Sequence, residues 1–419
     1  MSNSPNEPPH RTREVRGIPR RTGSGPAPLS FGQQRLWFLS QLRPNDSAYN
    51  MIQVLRLTGP LDVPALERAF NEIRRRHDVL RANVDLVGDQ PVQFVAAYGP
   101  VPFTIVDCST YPEDQRESAC QQTIDSYSRP PFDLKNDPLV RTVLVRLQPK
   151  EHRLVLVMHH IISDGWSTRL LLQECASLYE AFSQGKSSPL PELPIQYSDY
   201  ARWQRERLTG AVLENELSYW KQRLRGSIMS PLELPTDRPR RGGEMSTGAY
   251  VAKVLPVKLV QSLKSLGQRC NATLFMMLLG AFQILLYRLS GQDDIVLGTP
   301  IAGRTQLETE KLLGFFVNTL PIRIDMSGKP TFAHLLDRVR SVVVDAIDHQ
   351  DLPFEKLVEE LQPERRLNHS PLVQVMLNVF LLDDPQLHVQ GITLEILTPA
   401  GDESKFDVTM YVRKTRKIF

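Results

Sequence analysis

The sequence predicts an α/β fold built from two halves, and three observations lead to this prediction. From residue 29 onward, short apolar runs typical of strands alternate with amphipathic stretches typical of helices. A length of 419 residues is enough for two domains of about 200 residues each. Between two such alternating regions lies a connector, residues 191–243, which ends in a proline-containing stretch typical of an extended crossing. We therefore expect a first half at 29–190 and a second half at 244–419.

Composition and charge argue against several classes of protein. Hydrophobic residues make up 41% of the chain and charged residues 23%, which is typical of a soluble globular protein. The 50 basic side chains are nearly balanced by 47 acidic ones, so no nucleic-acid-binding face is indicated. No apolar run approaches the roughly 18 residues that a membrane span needs. The four cysteines lack CxxC spacing, which favours reduced thiols, and we expect a cytoplasmic monomer.

Residues 1–28 differ from the rest of the chain. They contain five arginines and six prolines but no apolar core, which excludes a secretory signal peptide. We expect this segment to be a disordered tail or a linker.

The first half opens with a helix for which Ser30 is a candidate N-cap. A second helix is predicted to start at Leu61 and Asp62, and it carries three arginines in a row at 74–76. Runs of three arginines on a helix usually form a solvated face. Strands are predicted at 51–57, 92–96, 103–106 and 139–147.

Two adjacent histidines follow the most apolar run of the first half. Residues 153–158 are predicted to form a buried strand, which places His159 and His160 at its end. Adjacent residues in a strand point to opposite faces, so only one of the two can face a given cavity. Ser167 is a candidate N-cap for a helix at 168–183. The histidine spacing does not match a zinc site, and we expect no metal.

The second half repeats the alternation of helices and strands. Helices are predicted at 257–269 and 273–289, and strands at 250–255, 294–297, 373–381, 394–397 and 406–412. Asp351 is a candidate cap for a further helix, with Pro353 in the first turn. Asn318 follows a glycine-containing loop; it either lines a binding channel or satisfies a buried turn, and the residues alone favour neither.

Seven motifs occur in order along residues 29–412, and together they resemble the condensation domains of nonribosomal peptide synthetases. They are LSFGQQRLWFL at 29–39, RHDVLR at 76–81, HHIISDG at 159–165, YSDYARW at 197–203, GFFVNTLPIR at 314–323, HQDLPFE at 349–355, and a degraded RRLNHSPL at 365–372. The opening motif and HHIISDGWS resemble the subtype that takes an L-configured donor and an L-configured acceptor.

The resemblance implies a fold and a reaction. The fold is that of the chloramphenicol acetyltransferase-like superfamily: two α/β sandwich subdomains in a V-shaped pseudo-dimer with a tunnel between them. The reaction joins an acyl or peptidyl thioester on an upstream carrier domain to the amino group of an aminoacyl thioester on a downstream one. Both substrates are carried on 4'-phosphopantetheine, so no cofactor of the chain's own is expected, and an adjacent adenylation domain is an expected partner.

The resemblance also implies residue roles. His160 and Gly165 are assigned to catalysis, with Gly165 offering its N–H to a developing oxyanion. His159 and Asp164 support the site, and Arg76 and Arg81 are the candidate partners of the Asp164 carboxylate. The residues expected to line the substrate tunnel are Ser163, Trp166, Asn318 and Gly314.

Three other functions stay open on the sequence. One is a free-standing acyltransferase of the same superfamily that uses coenzyme A thioesters, although motifs one, four and six favour a synthetase. Another is a catalytically silent docking module, which the intact HHxxxDG motif disfavours. Epimerisation domains share the histidines but differ in the opening and asparagine-containing motifs. Members of the family normally continue for several tens of residues beyond the strand at 406–412. We therefore expect this chain to be truncated at its C-terminus, as a fragment of a longer synthetase, or to complete its fold in another way.

Overall fold

The computed structural model describes residues 17–23, 25–100, 103–226, 232–237, 248–362, 372–380, 389–397 and 406–414. The helices are α1 (Phe31–Leu42), α2 (Val63–Arg76), α3 (Glu113–Ser128), α4 (Gly165–Ser183), α5 (Tyr197–Arg207), α6 (Gly210–Leu224), α7 (Val257–Arg269), α8 (Leu274–Ser290), α9 (Phe332–Asp348) and α10 (Phe354–Leu361). The strands are β1 (Ala27–Pro28), β2 (Asn50–Thr58), β3 (Ala82–Val87), β4 (Gln90–Val95), β5 (Phe103–Asp107), β6 (Val140–Gln148), β7 (Glu151–His159), β8 (Asp294–Ile301), β9 (Asn318–Asp325), β10 (Val375–Phe380), β11 (Thr393–Leu397) and β12 (Val408–Arg413).

The first half is built on a five-stranded sheet in the order β11-β2-β7-β6-β5. Strand β7 lies at its centre, antiparallel to both β2 and β6. Val155, Leu156 and Val157 are fully buried, because a central strand that is covered on both faces carries a continuous apolar run. The buried strand predicted at 153–158 is therefore confirmed, and its end delivers the two histidines. The α/β fold class is confirmed as well.

The second half is built on a four-stranded sheet in the order β12-β10-β8-β9. Its core contains Leu279 of α8 and Val339 of α9, packed with the central-strand residue Leu297. A separate three-stranded sheet, β1-β4-β3, belongs to the first half. The helix predicted at 257–269 coincides with α7.

Strand β11 corrects the expected domain boundaries. It pairs antiparallel with β2, with Thr393 opposite Thr58, and so extends the sheet of the first half, although all of 244–419 was expected to form the second. Leu394 and Leu397 pack against the first core, and burial of these apolar side chains stabilises the pairing of β11 with the first sheet.

The expectation of a disordered tail at 1–28 is also wrong for its described part. Ile18 is 5% exposed and belongs to the core of the first half. The backbone N–H of Arg21 donates to Asp199 Oδ1 over 2.9 Å, and β1 pairs with β4. Buried apolar area and backbone pairing together hold the segment in place.

Three local predictions are wrong. The N-cap of α4 is Asp164, not Ser167, so the helix begins three residues earlier than expected. Residues 250–255 form no strand, and Val251 is 94% exposed. The N-cap position of α10 is occupied by Pro353, while Asp351 pairs with Arg207 at 3.5 Å.

Residues 363–371, which include most of the seventh motif, and residues 227–231 and 238–243 of the connector lie outside the described residues. Among the described helices, none is long and apolar enough by itself to cross a membrane; α7 and α8 meet that test only as a pair bent by 101°.

We predict that Ile18→Ala lowers the free energy of unfolding by about 2 kcal/mol, because it removes a buried side chain from the first core. Arg20→Ala is the control; Arg20 is exposed, and this change should stay within about 0.5 kcal/mol of wild type. Urea unfolding followed by circular dichroism measures both. Equal stability of the two variants would show that the segment does not contribute to the fold.

Candidate functional site

The end of β7 directs the two histidines to different places. His159 is buried; its Nδ1 accepts the backbone N–H of Ile161 over 3.1 Å, and Phe132 meets its ring edge-on at 6.1 Å. His160 opens a short 3-10 turn over His160–Ile162 and is only half-buried. The two histidines were expected to point to opposite faces of one strand; instead the strand ends at His159, and the turn that begins at His160 separates a packed histidine from an accessible one.

One hydrogen bond sets the tautomer of His160. Its Nδ1 lies 2.8 Å from the carbonyl oxygen of Ser163, and a carbonyl can only accept, so Nδ1 carries the proton of the neutral ring. Nε2 is then the nitrogen with the lone pair, which is the form that accepts a proton. The ring of Phe315 meets the His160 ring edge-on, with centroids 5.0 Å apart.

Asp164 connects residues 159–165, which we name the histidine segment, to the second half. Oδ1 accepts the backbone N–H of Ser167 over 2.7 Å, which caps α4, and Oδ2 accepts the backbone N–H of Phe316 over 3.0 Å. Asp164 is thus a helix cap and a bridge between the halves at once. A buried carboxylate needs partners of this kind, because an unpaired one would cost several kcal/mol.

The charge partner of Asp164 differs from the one expected. Neither Arg76 nor Arg81 pairs with it: Arg76 binds Glu174 at 3.3 Å, and Arg81 binds Asp78. The partner is Arg304, whose Nη2 lies 3.4 Å from Asp164 Oδ1. The side chains of Arg304 and Asp164 are only 2% and 3% exposed.

Arg304 is held by more than this ion pair. Nη2 donates to Ser167 Oγ over 2.8 Å and Nη1 to the carbonyl of Leu312 over 2.8 Å, while the guanidinium stacks on the ring of Phe316 at 4.0 Å. Burial lowers the pKa of Arg304, and the adjacent Asp164 carboxylate acts in the opposite direction. Arginine nevertheless stays charged at any ordinary pH.

Residues 312–316, which we name the strap, belong to the second half and contact the histidine segment and the start of α4. Gly314 is bound on both sides of its peptide: Ser167 Oγ accepts its N–H over 3.1 Å and donates to its carbonyl over 2.8 Å. The hydroxyl of Tyr197 donates to the carbonyl of Phe315 over 2.6 Å. Burial raises the pKa of Tyr197 well above its usual value, so the hydroxyl keeps the proton that it donates.

Gly314 occupies its position for a steric reason. Its φ is +155°, and a Cβ atom would overlap Cδ2 of the Tyr197 ring. Any other residue would push the strap away from α5.

Asn318 has both of the roles that the sequence left open, bonding to a turn and lining a cleft. Its Nδ2 donates to the carbonyls of Gln350 and Leu352, over 3.0 and 2.8 Å, and its Oδ1 accepts the N–H of Phe354 over 2.9 Å. The Asn318 side chain therefore satisfies the backbone hydrogen-bonding groups of the turn at 350–354. It also lines a cleft that holds about 590 Å³ of space free of protein atoms, part of it open to solvent.

The cleft lies between the two halves. Residues of four motifs line it, including Gly32 of α1, Trp203 of α5, Phe315 of the strap and Pro353. Phe315 thus faces both the cleft and His160.

The other residues expected to line a tunnel lie elsewhere. Ser163 and Gly314 are buried, take part in backbone hydrogen bonds and do not line this cleft; their place in a substrate tunnel stays a prediction. Trp166 is 37% exposed; its Nε1 donates to the carbonyl of Glu310 over 3.0 Å, and its ring lies 5.7 Å from the Arg304 guanidinium.

Gly165 is exposed at the first position of α4, where backbone N–H groups lack partners within the helix. A Cβ at this position would meet no atom within 4 Å. Neither packing nor backbone conformation therefore demands glycine here.

Several residues of the site were not predicted from the sequence. Ser167, Tyr197 and Phe315 lie in or beside a motif, and Arg304 follows a strand, but no local pattern indicates what these side chains bond to. Arg304 is 140 residues from Asp164, and no local pattern signals a pair of that separation. Among the described residues, no group of three His, Cys, Asp or Glu side chains could hold a metal ion.

Comparison with known proteins adds a family and a set of folds. A family model described as "Condensation domain" matches residues 24–419. A linear gramicidin synthase polypeptide of Brevibacillus parabrevis is 43% identical over 394 residues, which cover 93% of this chain. The chain spans only 5% of the length of that relative.

Among solved structures, the X-domain from teicoplanin biosynthesis is similar, with a TM-score of 0.84 and 27% identity over 96% of this chain and 88% of that one. It has also been solved in complex with OxyB, with a TM-score of 0.83, 27% identity, and coverage of 96% and 87%. The first condensation domain of the CDA synthetase has a TM-score of 0.75 at 21% identity, covering 94% of this chain and 91% of that one; at this identity the likeness concerns the fold alone.

We predict that Arg304→Gln lowers the free energy of unfolding by about 3 kcal/mol, because it leaves Asp164 buried without its cation. The double variant with Asp164→Asn should lose less than the sum of the two single changes, since each single change leaves one charge unpaired. Urea unfolding measures all three variants.

Arg340→Gln is the matched control for Arg304→Gln. Arg340 pairs with Asp337 at 3.2 Å on the surface, so its loss should cost less than about 1 kcal/mol. The buried pair would lose its structural role if both arginine changes had the same cost.

We predict that Gly314→Ala destabilises the chain by at least about 2 kcal/mol, because the new Cβ overlaps the Tyr197 ring. Gly328→Ala is the control: its φ is +79° with no atom within 4 Å of a Cβ, so only the backbone cost of about 1 kcal/mol applies. Thermal unfolding of the two variants compares them. A Gly314→Ala variant as stable as Gly328→Ala would mean that the strap can move away from α5.

Proposed function

Because the chain belongs to the condensation-domain family, we propose that it forms an amide bond between two carrier-bound thioesters. The upstream carrier domain supplies an acyl or peptidyl group, and the amine comes from an aminoacyl group on the downstream carrier. The observation that carries this proposal is His160, whose Nδ1 is held toward the carbonyl of Ser163 and whose ring contacts Phe315, a residue that lines the cleft between the two halves.

The chemistry requires only a modest base. A thioester is already activated, and an α-amine has a pKa near 7.7–8.0, so about a tenth of it is neutral at pH 7. The amine nitrogen attacks the thioester carbonyl, the C–N bond forms, and the C–S bond breaks. His160 Nε2 takes the proton that the amine loses and returns one to the departing thiolate, so protons and charges balance. Most of the acceleration then comes from holding the two thioesters together.

The start of α4 supplies a second element of the proposal. The N–H of Gly165 points from the positive end of a helix dipole, which suits the negative charge that develops on the carbonyl oxygen. A Cβ added at Gly165 would meet no atom within 4 Å, so the space beside this residue is open. His159 and Asp164 hold this segment in place, and Asn318 forms part of the cleft wall.

The finer details of the proposal rest on the resemblance. Both substrates arrive on 4'-phosphopantetheine of peptidyl carrier domains, next to an adenylation domain, in a cytoplasmic synthetase that makes a secondary metabolite. The domain acts as a monomer, takes an L-configured donor and acceptor, and belongs to the chloramphenicol acetyltransferase-like superfamily. We propose the boundaries 29–190 and 244–419 for its two halves, except that β11 and the described residues of 17–28 also belong to the first half.

A docking module is the second candidate function, and one observation favours it. The X-domain, which is similar over most of the chain, forms a complex with OxyB. The fixed tautomer and accessible ring of His160 favour catalysis over pure docking.

We predict that the chain transfers one acyl unit to a downstream aminoacyl carrier protein when an acyl-loaded upstream carrier is present, as measured by intact mass. His160→Ala should fold normally and lose at least about 100-fold in rate, because it removes the proton acceptor. His334→Ala, an exposed histidine on α9, is the matched control and should keep the wild-type rate.

Each alternative has its own outcome in this experiment. Transfer from a free coenzyme A thioester at the rate seen with the carrier would identify a free-standing acyltransferase. No transfer by a folded wild-type chain that still binds the carriers would identify a docking module. A His160→Ala variant with nearly full activity would remove His160 from the mechanism.

A further inference from the structure

A buried charged cluster lies next to the strap but outside the residues that the proposed function uses. It consists of Arg76 and His77 at the end of α2 and Glu174 in the middle of α4, and His77 is 1% exposed. Glu174 Oε1 lies 3.3 Å from Arg76 Nη2, and Oε2 lies 2.9 Å from His77 Nε2. Arg76 also donates to the carbonyl of Pro191 over 2.6 Å. Such a cluster is a costly way to stabilise a fold, since apolar side chains of the same volume often do as well.

The cluster sets the direction of the His77 hydrogen bonds. Burial tends to raise the pKa of Glu174, but the hydrogen bonds from His77 and Arg76 and the charge of Arg76 outweigh it, and the pKa lies below its usual range. Glu174 is therefore a carboxylate that accepts from His77 Nε2. In the neutral ring Nδ1 is then an acceptor.

His77 Nδ1 faces the strap. The backbone N–H of Leu313 donates to it over 3.4 Å, in a buried setting. The next residue, Gly314, is bound by Ser167, and Phe316 is bound by Asp164. His77 thus holds the strap from α2, on the N-terminal side of the bonds made by Ser167 and Asp164.

The strap in turn places a ring against the reacting centre. Phe315 lies between the residues bound by Ser167 and Asp164, and its ring meets His160 edge-on at 5.0 Å. A displacement of the strap at Leu313 is transmitted over two peptide units to this ring, and rate is sensitive to small misplacements at a reacting centre.

We infer that His77 is a positioning residue for His160: supported by Glu174, it holds Leu313, and through the strap it fixes Phe315 against the His160 ring. This inference rests on the proposed function only for its effect on rate. Its effect on the position of the rings is independent of any substrate.

Two substitutions separate the two hydrogen bonds of His77. In His77→Asn the amide oxygen stands near the position of Nδ1 and can accept from Leu313, but the side chain no longer reaches Glu174. In His77→Gln the amide nitrogen stands near Nε2 and can donate to Glu174, but Leu313 loses its acceptor. Neither replacement is larger than histidine, so neither overpacks the buried site, which favours folding.

The two variants are expected to rank differently in Tm and in kcat. His77→Asn should have the lower Tm, because Glu174 loses a buried partner. His77→Gln should have the lower kcat, by at least about tenfold relative to His77→Asn, with KM for the aminoacyl carrier within about twofold. In protein labelled with ¹³C-histidine, the His160 ring signal should shift in His77→Gln and stay near its wild-type position in His77→Asn. The signal is assigned by its loss in His160→Ala.

His152→Asn is the matched control. His152 is another buried histidine of the first half, seven residues before His159 on β7 and so roughly 23 Å from it. Its loss should leave the His160 signal in place.

Three outcomes would overturn the inference: rates that follow the order of Tm, an unmoved His160 signal in a folded His77→Gln variant, or loss of folding in both variants. The last would show that the cluster serves only stability. Failure of the proposed function has a different signature, since the wild-type chain would then transfer no acyl group while the ring signals still respond to His77.

Discussion

The buried ion pair between Asp164 and Arg304 is the interaction on which the rest of the site depends. Both side chains are almost fully removed from solvent, and they come from different halves of the chain. Two such charges tolerate burial only when their remaining donors and acceptors are occupied, which explains the bonds to Ser167, Leu312 and Phe316. The need of the two buried charges for hydrogen-bond partners therefore restricts the conformation of the backbone around them.

That constraint is expressed in the strap. Residues 312–316 have no regular secondary structure, yet their backbone polar groups bond to side chains of both halves and of α5. Buried backbone groups outside helices and sheets need such partners, and a segment bound at each residue has little freedom to move. The result is an irregular segment that is hydrogen-bonded along its length and places Phe315 beside His160.

The arrangement of the two sheets serves the same purpose. β7 ends at the junction of the halves, β11 crosses from the second half into the first sheet, and α5 lies against both the strap and α1. A cleft between two separately packed cores can take a ligand while each core stays intact. In this view the connector is part of the site, because Tyr197 and Trp203 of α5 touch the strap and the cleft.

Local sequence patterns were enough to establish the α/β class, the buried strand β7 and the position of the histidines at its end. These features follow from periodicity, which needs only neighbouring residues. The arginine that pairs with Asp164, in contrast, is determined by tertiary packing. Arg76 and Arg81 lie in a motif that predicts such a pair, but the partner in the fold is Arg304, 140 residues away in sequence. The same holds for β11 and Ile18, whose places are set by the apolar surface of a sheet formed elsewhere in the chain. Charge and hydrophobicity can be read along a sequence, whereas the choice of a distant partner depends on the distances that folding creates.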